Sequence, residues 1–506
     1  MANFENDTTV VQQVAENRYD EDGTPHVHTP QKGFYKKALF RIATIYFVLL
    51  CIPSYYNFYK HLFCLHFSKL TYHDFQSVVA FWPPQIILIE SEEGVFGIYN
   101  YVNLVLLFLV SIVLGLAWTV LARKSKPQTD ERWRYWVNVL VRYRLAFGMV
   151  GWGLKKAFPM QMVYPTIGML NTPFIDMAEK KLYWSHVGIS FGYTIFLGFA
   201  EILPGLLLLN RKTASLGGAL AAVVCFNIVL ANHAFDAGVA VPAAYFTLLG
   251  VFVASYDFPK IWRLLVQEKD VPTYRYKPTF SFAWQRRLKV VVKWIFIILF
   301  VPVMAGFWAY GFFNGNNYNI PSTPGVKKLT GYYNVDRFLL NGKELPANPL
   351  DSVRWQYAVF EKWSSLSYQT NRPAYVDRMI GYSPLRVKGN KNNKKLNQVD
   401  TQDSDELFKE NRNRDLGVTR WEVGGMPGSR RYFFYETDTV NQILQLQNKN
   451  KLYKWEHQVL HYEIPRDGKV ILSGLNEFQD SIYVELSRVD KKYPLVEGRS
   501  SLQAYY

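Results

Sequence analysis

The chain has 506 residues, a formal net charge of +16, 49% hydrophobic and 16% aromatic content, yet a mean hydropathy of only -0.07. That average combines an apolar region with a polar one and excludes a uniformly soluble globule. A basic excess beside apolar segments points to cytoplasmic loops and anionic lipid and away from nucleic acid. Cys51, Cys64 and Cys225, with no CxxC pair, exclude a disulfide framework or a cysteine zinc site.

Residues 1–37 are polar and of mixed charge, without the pattern of a cleavable signal peptide, and read as a disordered cytoplasmic tail. A spanning helix takes about 20 mostly apolar residues. Seven stretches approach this: Ala38 to Tyr56, Tyr99 to Leu121, Tyr135 to Ala157, Val187 to Leu209, Leu216 to Phe235, Val239 to Ser255 and Val290 to Phe313. The sixth is the shortest.

Every second connection is basic: Lys32, Lys36, Lys37 and Arg41 lie at the start of the first stretch, Arg123, Lys124 and Lys126 follow the second, Arg211 and Lys212 follow the fourth, and Lys260, Arg263, Arg286, Arg287 and Lys289 separate the sixth and seventh. Positive residues near helix ends stay cytoplasmic, so seven spans with the N-terminus inside are expected. The layout is then two N-terminal membrane helices with an outer loop (38–131), a four-helix core (132–259), a cytoplasmic loop and last helix (260–313) and an outer domain (314–506). Phe81-Trp82-Pro83-Pro84 and Phe158-Pro159-Met160 in the outer loops read as membrane-surface anchors.

The outer domain reads as a small β sandwich or barrel. Leu460, Tyr462 and Ile464 alternate before the turn Pro465-Arg466-Asp467-Gly468, and Val470, Leu472, Ile482, Val484 and Leu486 continue the period of two. Thr330 to Leu339 and Arg354 to Trp363 are further candidate strands, and Lys388 to Asp415 is polar enough to be a disordered loop.

Ionisable residues inside apolar spans are costly and mark candidate sites. Arg144, Gly148, Gly151 and Lys155 share one face of the third span, and Thr194, Leu197, Glu201 and Gly205 share one of the fourth. Arg144 and Glu201 lie at similar depth, roughly 12 to 15 Å from the inner end, and are expected to pair. Asn232, His233 and Asp236 end the fifth span, where Lys155 is expected to join them at the outer mouth, with Lys156 snorkelling to the interface. No HExxH or comparable pattern supports a metal site, and no inverted repeat of broken helices points to a transporter.

Residues 132–259 resemble the DoxX-like family of four-helix bacterial membrane proteins. The likeness lies in Arg142-Tyr143-Arg144-Leu145-Ala146, Gly151-Trp152-Gly153-Leu154-Lys155, Glu201-Ile202-Leu203-Pro204-Gly205 through Leu209 with Arg211-Lys212, and Asn232-His233-Ala234-Phe235-Asp236. The following turn, Ala237-Gly238-Val239-Ala240-Val241-Pro242, lacks the family's tyrosine and lysine. The resemblance implies a redox-linked membrane component, with a quinone as its lipid-soluble carrier and Glu201, His233 or Asp236 relaying protons. Apart from it, the large outer domain suits a noncatalytic envelope protein that assembles with other membrane or surface factors.

Overall fold

The computed structural model describes residues 33–87, 101–122, 127–271, 276–376 and 421–493, apart from residues 55, 66, 82, 277, 281, 316, 373, 451, 452 and 467. The expected tail at 1–37, except its last five residues, and the loop Lys388 to Asp415 lie outside these segments.

Its helical half contains α1 (Phe34–Leu50), α2 (Tyr56–Phe63), α3 (Tyr72–Val79), α4 (Tyr101–Leu121), α5 (Pro127–Ala157), α6 (Ile167–Leu170), α7 (Glu179–Gly188), α8 (Phe191–Leu208), α9 (Ala214–Ala234), α10 (Ala240–Ser255), α11 (Phe258–Leu265), α12 (Ala283–Ile298) and α13 (Met304–Phe313). A π-helical turn at Leu299–Val303, containing Pro302, joins α12 to α13, as expected where proline interrupts the hydrogen-bond ladder.

Among the described residues, four helices are long and apolar enough to cross a membrane: α4, α8, α9 and the continuous Ala283–Phe313. A fifth is obtained if α10 and α11, bent by 60°, form one span. Of the other expected spans, α1 has 17 residues, and α5, with 31, carries Arg142 and Arg144 at its centre.

Close packing of α5 on α8 uses Gly205 of the expected stripe, whose Cβ would lie 2.9 Å from Ala146 O, together with two glycines outside the stripes. A Cβ on Gly198 would lie 2.3 Å from Ala157 N, and one on Gly153 would lie 2.7 Å from Gly198 O. Gly148 instead accommodates Phe246 of α10, and Gly151 accommodates Val79 of α3.

The polar half is an antiparallel barrel. Its strands are β1 (Gly331–Leu340), β2 (Lys343–Glu344), β3 (Tyr357–Phe360), β4 (Ser365–Gln369), β5 (Arg430–Asp438), β6 (Ile443–Asn448), β7 (His457–Glu463), β8 (Val470–Leu475) and β9 (Ser481–Arg488). β1 and β3 to β9 pair in sequence order, and β1 pairs with β9 to close the ring, with Phe338 opposite Val484 and Leu340 opposite Ile482. β2 extends β1 as a hairpin through Asn341 (φ 50°) and Gly342 (φ 79°), the left-handed pair that a tight two-residue turn requires. The interior is filled by side chains, as expected for eight strands: Trp355 stacks on Tyr368 at 3.8 Å and Tyr368 on Phe433 at 5.4 Å.

The barrel sits against one end of the bundle. Met162, Val163, Trp184 and Val187 from the α5–α8 connection and Ala237 from the α9–α10 turn pack with Trp421, Val423, Met426 and Tyr432 of the barrel domain. The Phe158-Pro159-Met160 segment expected to lie on the membrane surface packs with residues of α3 and α13 beside this joint. Met160 is fully buried, and its carbonyl accepts a 2.9 Å hydrogen bond from Asn319 Nδ2.

Candidate functional site

The expected pairing of Arg144 with Glu201 does not occur. Arg144 donates to the carbonyls of Val79 (2.8 Å) and Phe81 (2.7 Å), and its guanidinium lies 3.8 Å above the Phe81 ring. Helix α3 ends at Val79, and carbonyls at a helix C-terminus lack intrahelical donors. A buried cation therefore satisfies the end of a wedge formed by α3 and the segment after it.

The wedge is folded into the bundle. Tyr72, Phe75, Val79 and Phe81 are buried, Tyr72 packs on Trp308 of α13 at 4.5 Å, and Asn103 Oδ1 accepts from the Ile86 and Ile87 amides at 2.7 and 2.9 Å. Phe81, Pro83 and Pro84 are consequently buried and do not form a surface anchor.

Glu201 pairs instead with Lys156, the residue expected to snorkel: Nζ lies 2.9 Å from Oε2, and both side chains are largely buried. Lys155 points elsewhere, 4.6 Å from the Tyr318 ring centre and 5.1 Å from that of Trp152.

The expected outer group does not assemble either. His233 Nε2 lies 3.0 Å from the Tyr101 hydroxyl. Asn232 Nδ2 donates to Ile228 O at 2.7 Å and its Oδ1 accepts from the Val239 amide at 3.0 Å, pinning the α9–α10 turn. Asp236 is exposed with φ 46°, a left-handed turn position that aspartate tolerates. Among the described residues, no group of three or more His, Cys, Asp and Glu side chains could hold a metal ion.

Two features escaped the sequence reading. The first is a buried polar lock at the joint. Glu361 accepts from the amides of Ile167 (3.1 Å) and Gly168 (2.8 Å) at the start of α6, while Arg430 donates to Gly168 O (2.9 Å) and Thr172 Oγ1 (3.0 Å). Burial, followed by the charge of Glu422, pushes the Glu361 carboxyl up to about 7, although the two amides and Thr166 pull it down. Nearby, fully buried Lys181 donates to Trp421 O, and burial pushes its amine down to about 7 against the opposing effect of Glu422.

The second is a cavity of about 1400 Å³ in the half of the bundle away from the barrel. It lies between the first half of α5, α12, the start of α9 and the α10–α11 bend, and it reaches Cys51 and Arg144. Six of its lining residues are cations and one, Asp257, is a carboxylate. A heptad-like run of aromatics on α5 was the available sequence signal, but the partner wall on α12 was indistinguishable from an ordinary lipid-facing helix.

Helices compatible with membrane insertion, joined to a closed antiparallel barrel, define the class. Over 122 residues, 23% of its length, the chain is 37% identical to the uncharacterized protein YwoB of Bacillus subtilis (strain 168) and covers 67% of it. The chain belongs to the family of that protein. No family model matches the chain, and no solved structure matches it.

Proposed function

We propose that the chain is a seven-pass protein of the bacterial cell membrane that holds its barrel in a fixed orientation on the outer face, as an anchoring or assembly module of the envelope. The observation that carries this reading is the Glu361–Arg430 lock. A tethered domain would need only a linker, whereas here a carboxylate and a guanidinium from the barrel are buried against the α5–α8 connection. Buried charges of this kind are retained only with full hydrogen bonding, and they define one geometry between the parts they join. The helix directions support the topology, because the α5–α8 and α9–α10 connections that meet the barrel are both among those expected outside.

Labelling with a membrane-impermeant maleimide in intact cells tests the arrangement in a Cys64→Ser background. Val440→Cys on the barrel should react, and Lys269→Cys between α11 and α12 should react only after permeabilisation. The opposite pattern would overturn the topology.

A second reading follows from the DoxX-like resemblance: a redox-linked component with a quinone held in the cavity. Its support is the aromatic lining that includes Tyr135, Trp136 and Phe147. Glu201, its proposed proton relay, is engaged by Lys156. Retention of a quinone by the purified protein, lost when the cavity is filled, is the result this reading requires.

A further inference from the structure

We infer that the cavity is a binding site for an anionic lipid whose phosphate head is held by Arg142. This goes beyond the anchoring role and rests only on the part of that reading that places the bundle in a bilayer.

Arg142 is 8% exposed and lines the cavity. Its Nε is buried with no hydrogen-bond partner, and the guanidinium makes no hydrogen bond or ion pair with any described residue. Its one ring contact is with neighbouring Tyr143, 5.1 Å away. An unpaired charge in a low-dielectric interior is strongly disfavoured unless an opposite charge meets it. Arg144, two residues along the helix, is already satisfied by the Val79 and Phe81 carbonyls, and Arg132 and Arg211 of the lining are exposed, which leaves Arg142 as the buried guanidinium available to a ligand. A guanidinium matches two phosphate oxygens at once.

The surrounding charge has the same sign. Lys293 lines the facing wall on α12, and Lys289 there donates to the Tyr135 hydroxyl at 3.0 Å. Asp257, the one carboxylate in the lining, accepts from Ser215 Oγ at 2.7 Å and lies 3.4 Å from Lys260 Nζ, so its charge is met locally. This balance favours an acid over a neutral quinone.

The size and wall chemistry favour a lipid over a free anion. The volume of about 1400 Å³ exceeds the roughly 300 to 1,000 Å³ of a small-molecule pocket. Trp284, Leu288, Val292 and Phe296 of α12 line it while remaining partly exposed on the bundle surface, which provides an apolar route for acyl or isoprenoid chains between cavity and bilayer.

The test uses the full-length protein extracted in detergent, incubated with equimolar phosphatidylglycerol and phosphatidylcholine, and examined by native mass spectrometry. The wild type should retain phosphatidylglycerol with about a tenfold or greater preference, the scale of one lost charge-assisted hydrogen-bonded contact. Arg142→Gln should lose the preference and Arg142→Lys should keep part of it. Val292→Trp, which fills the cavity from a half-exposed position, should reduce retention even if Arg142→Gln fails to fold. Equal retention of the two lipids by the wild type, or full preference in Val292→Trp, would overturn the proposal. So would inorganic phosphate binding at Arg142 without lipid retention, which would assign the site to a soluble anion. Extraction without detergent would instead overturn the membrane reading itself, so the two failures are distinguishable.

Discussion

Lys156 Nζ and Glu201 Oε2 lie 2.9 Å apart between α5 and α8, and neither side chain is more than 11% exposed. Removing one partner leaves the other charge buried alone, at a cost of about 3 to 5 kcal/mol. Glu201→Gln should therefore lower thermal stability in detergent sharply, whereas Lys156→Met combined with Glu201→Met should recover most of the loss. Additive losses in the double variant would show that the pair is not coupled.

Arg144 holds the wedge by two hydrogen bonds to carbonyls. Each charge-assisted bond contributes about 1.5 to 3 kcal/mol, so Arg144→Ala should release the segment after Val79. A cysteine at Val79, buried in the intact protein, should be inert to maleimide with Arg144 present and reactive in Arg144→Ala. Equal protection in both backgrounds would locate the hold on the wedge elsewhere.

The α5–α8 contact leaves no space for a methyl group at Gly198, where a Cβ would lie 2.3 Å from Ala157 N. Gly198→Ala should cost at least about 1 to 3 kcal/mol by overpacking, since backbone cannot yield as a side chain does. Gly306→Ala, whose Cβ would meet nothing within 4 Å, serves as the comparison and should be neutral or slightly stabilising in thermal denaturation.

The joint should be least stable near pH 7. Glu361 has its folded pKa raised from 4.5 to about 7, so the folded state binds more protons between those values and stability falls as pH rises through them. Lys181 has its folded pKa lowered from 10.5 to about 7, so the unfolded state binds more protons above 7 and stability rises with pH over that interval. Protease release of the barrel, followed from pH 5 to 9, should peak near neutrality. Glu361→Gln should flatten the acidic limb and Lys181→Met the alkaline one, and an unchanged profile in both would refute the assignment.

Helix positions were more legible than partners. The expected stretch Val290 to Phe313 lies within Ala283–Phe313, and Leu216 to Phe235 almost coincides with Ala214–Ala234, because uninterrupted apolar runs mark spans without reference to neighbours. The alternating strands near the end of the chain were equally visible: Leu460, Tyr462, Val470, Leu472, Ile482, Val484 and Leu486 all point into the barrel core, whereas β6, with Leu444 and Leu446, was not marked although it alternates. β5 was missed because it does not alternate. Phe433 and Tyr435 fill the barrel while Arg430 and Tyr432 are buried against the α5–α8 connection, so both of its faces are covered and the period of two disappears.

Charged partners were the least legible part of the site. Apolar context was enough to place Arg144 and Glu201 within the bundle, but their expected common depth is not met. Gly205 packs at Ala146 and Gly198 at Ala157, which sets Glu201 level with Lys156, about ten residues along α5 from Arg144. Nothing in Tyr72-His73-Asp74-Phe75 indicates that this short helix enters the bundle and presents its last carbonyls to Arg144, leaving Glu201 to Lys156.

The seam between β1 and β9 joins residues such as Phe338 and Val484, whose separation in sequence makes their pairing costly in chain entropy. Strands β3 to β8 pair each with its neighbour in sequence, β4 with β5 across residues 370–429 and the others over shorter connections, but the ring and its filled interior require β9 to reach β1. Arg430 and Glu361 belong to that earlier-forming stretch, so the docking surface can exist before the cylinder is shut. During biogenesis the bundle would then act as a template on which a partly formed sheet is placed, with ring closure as the committing event.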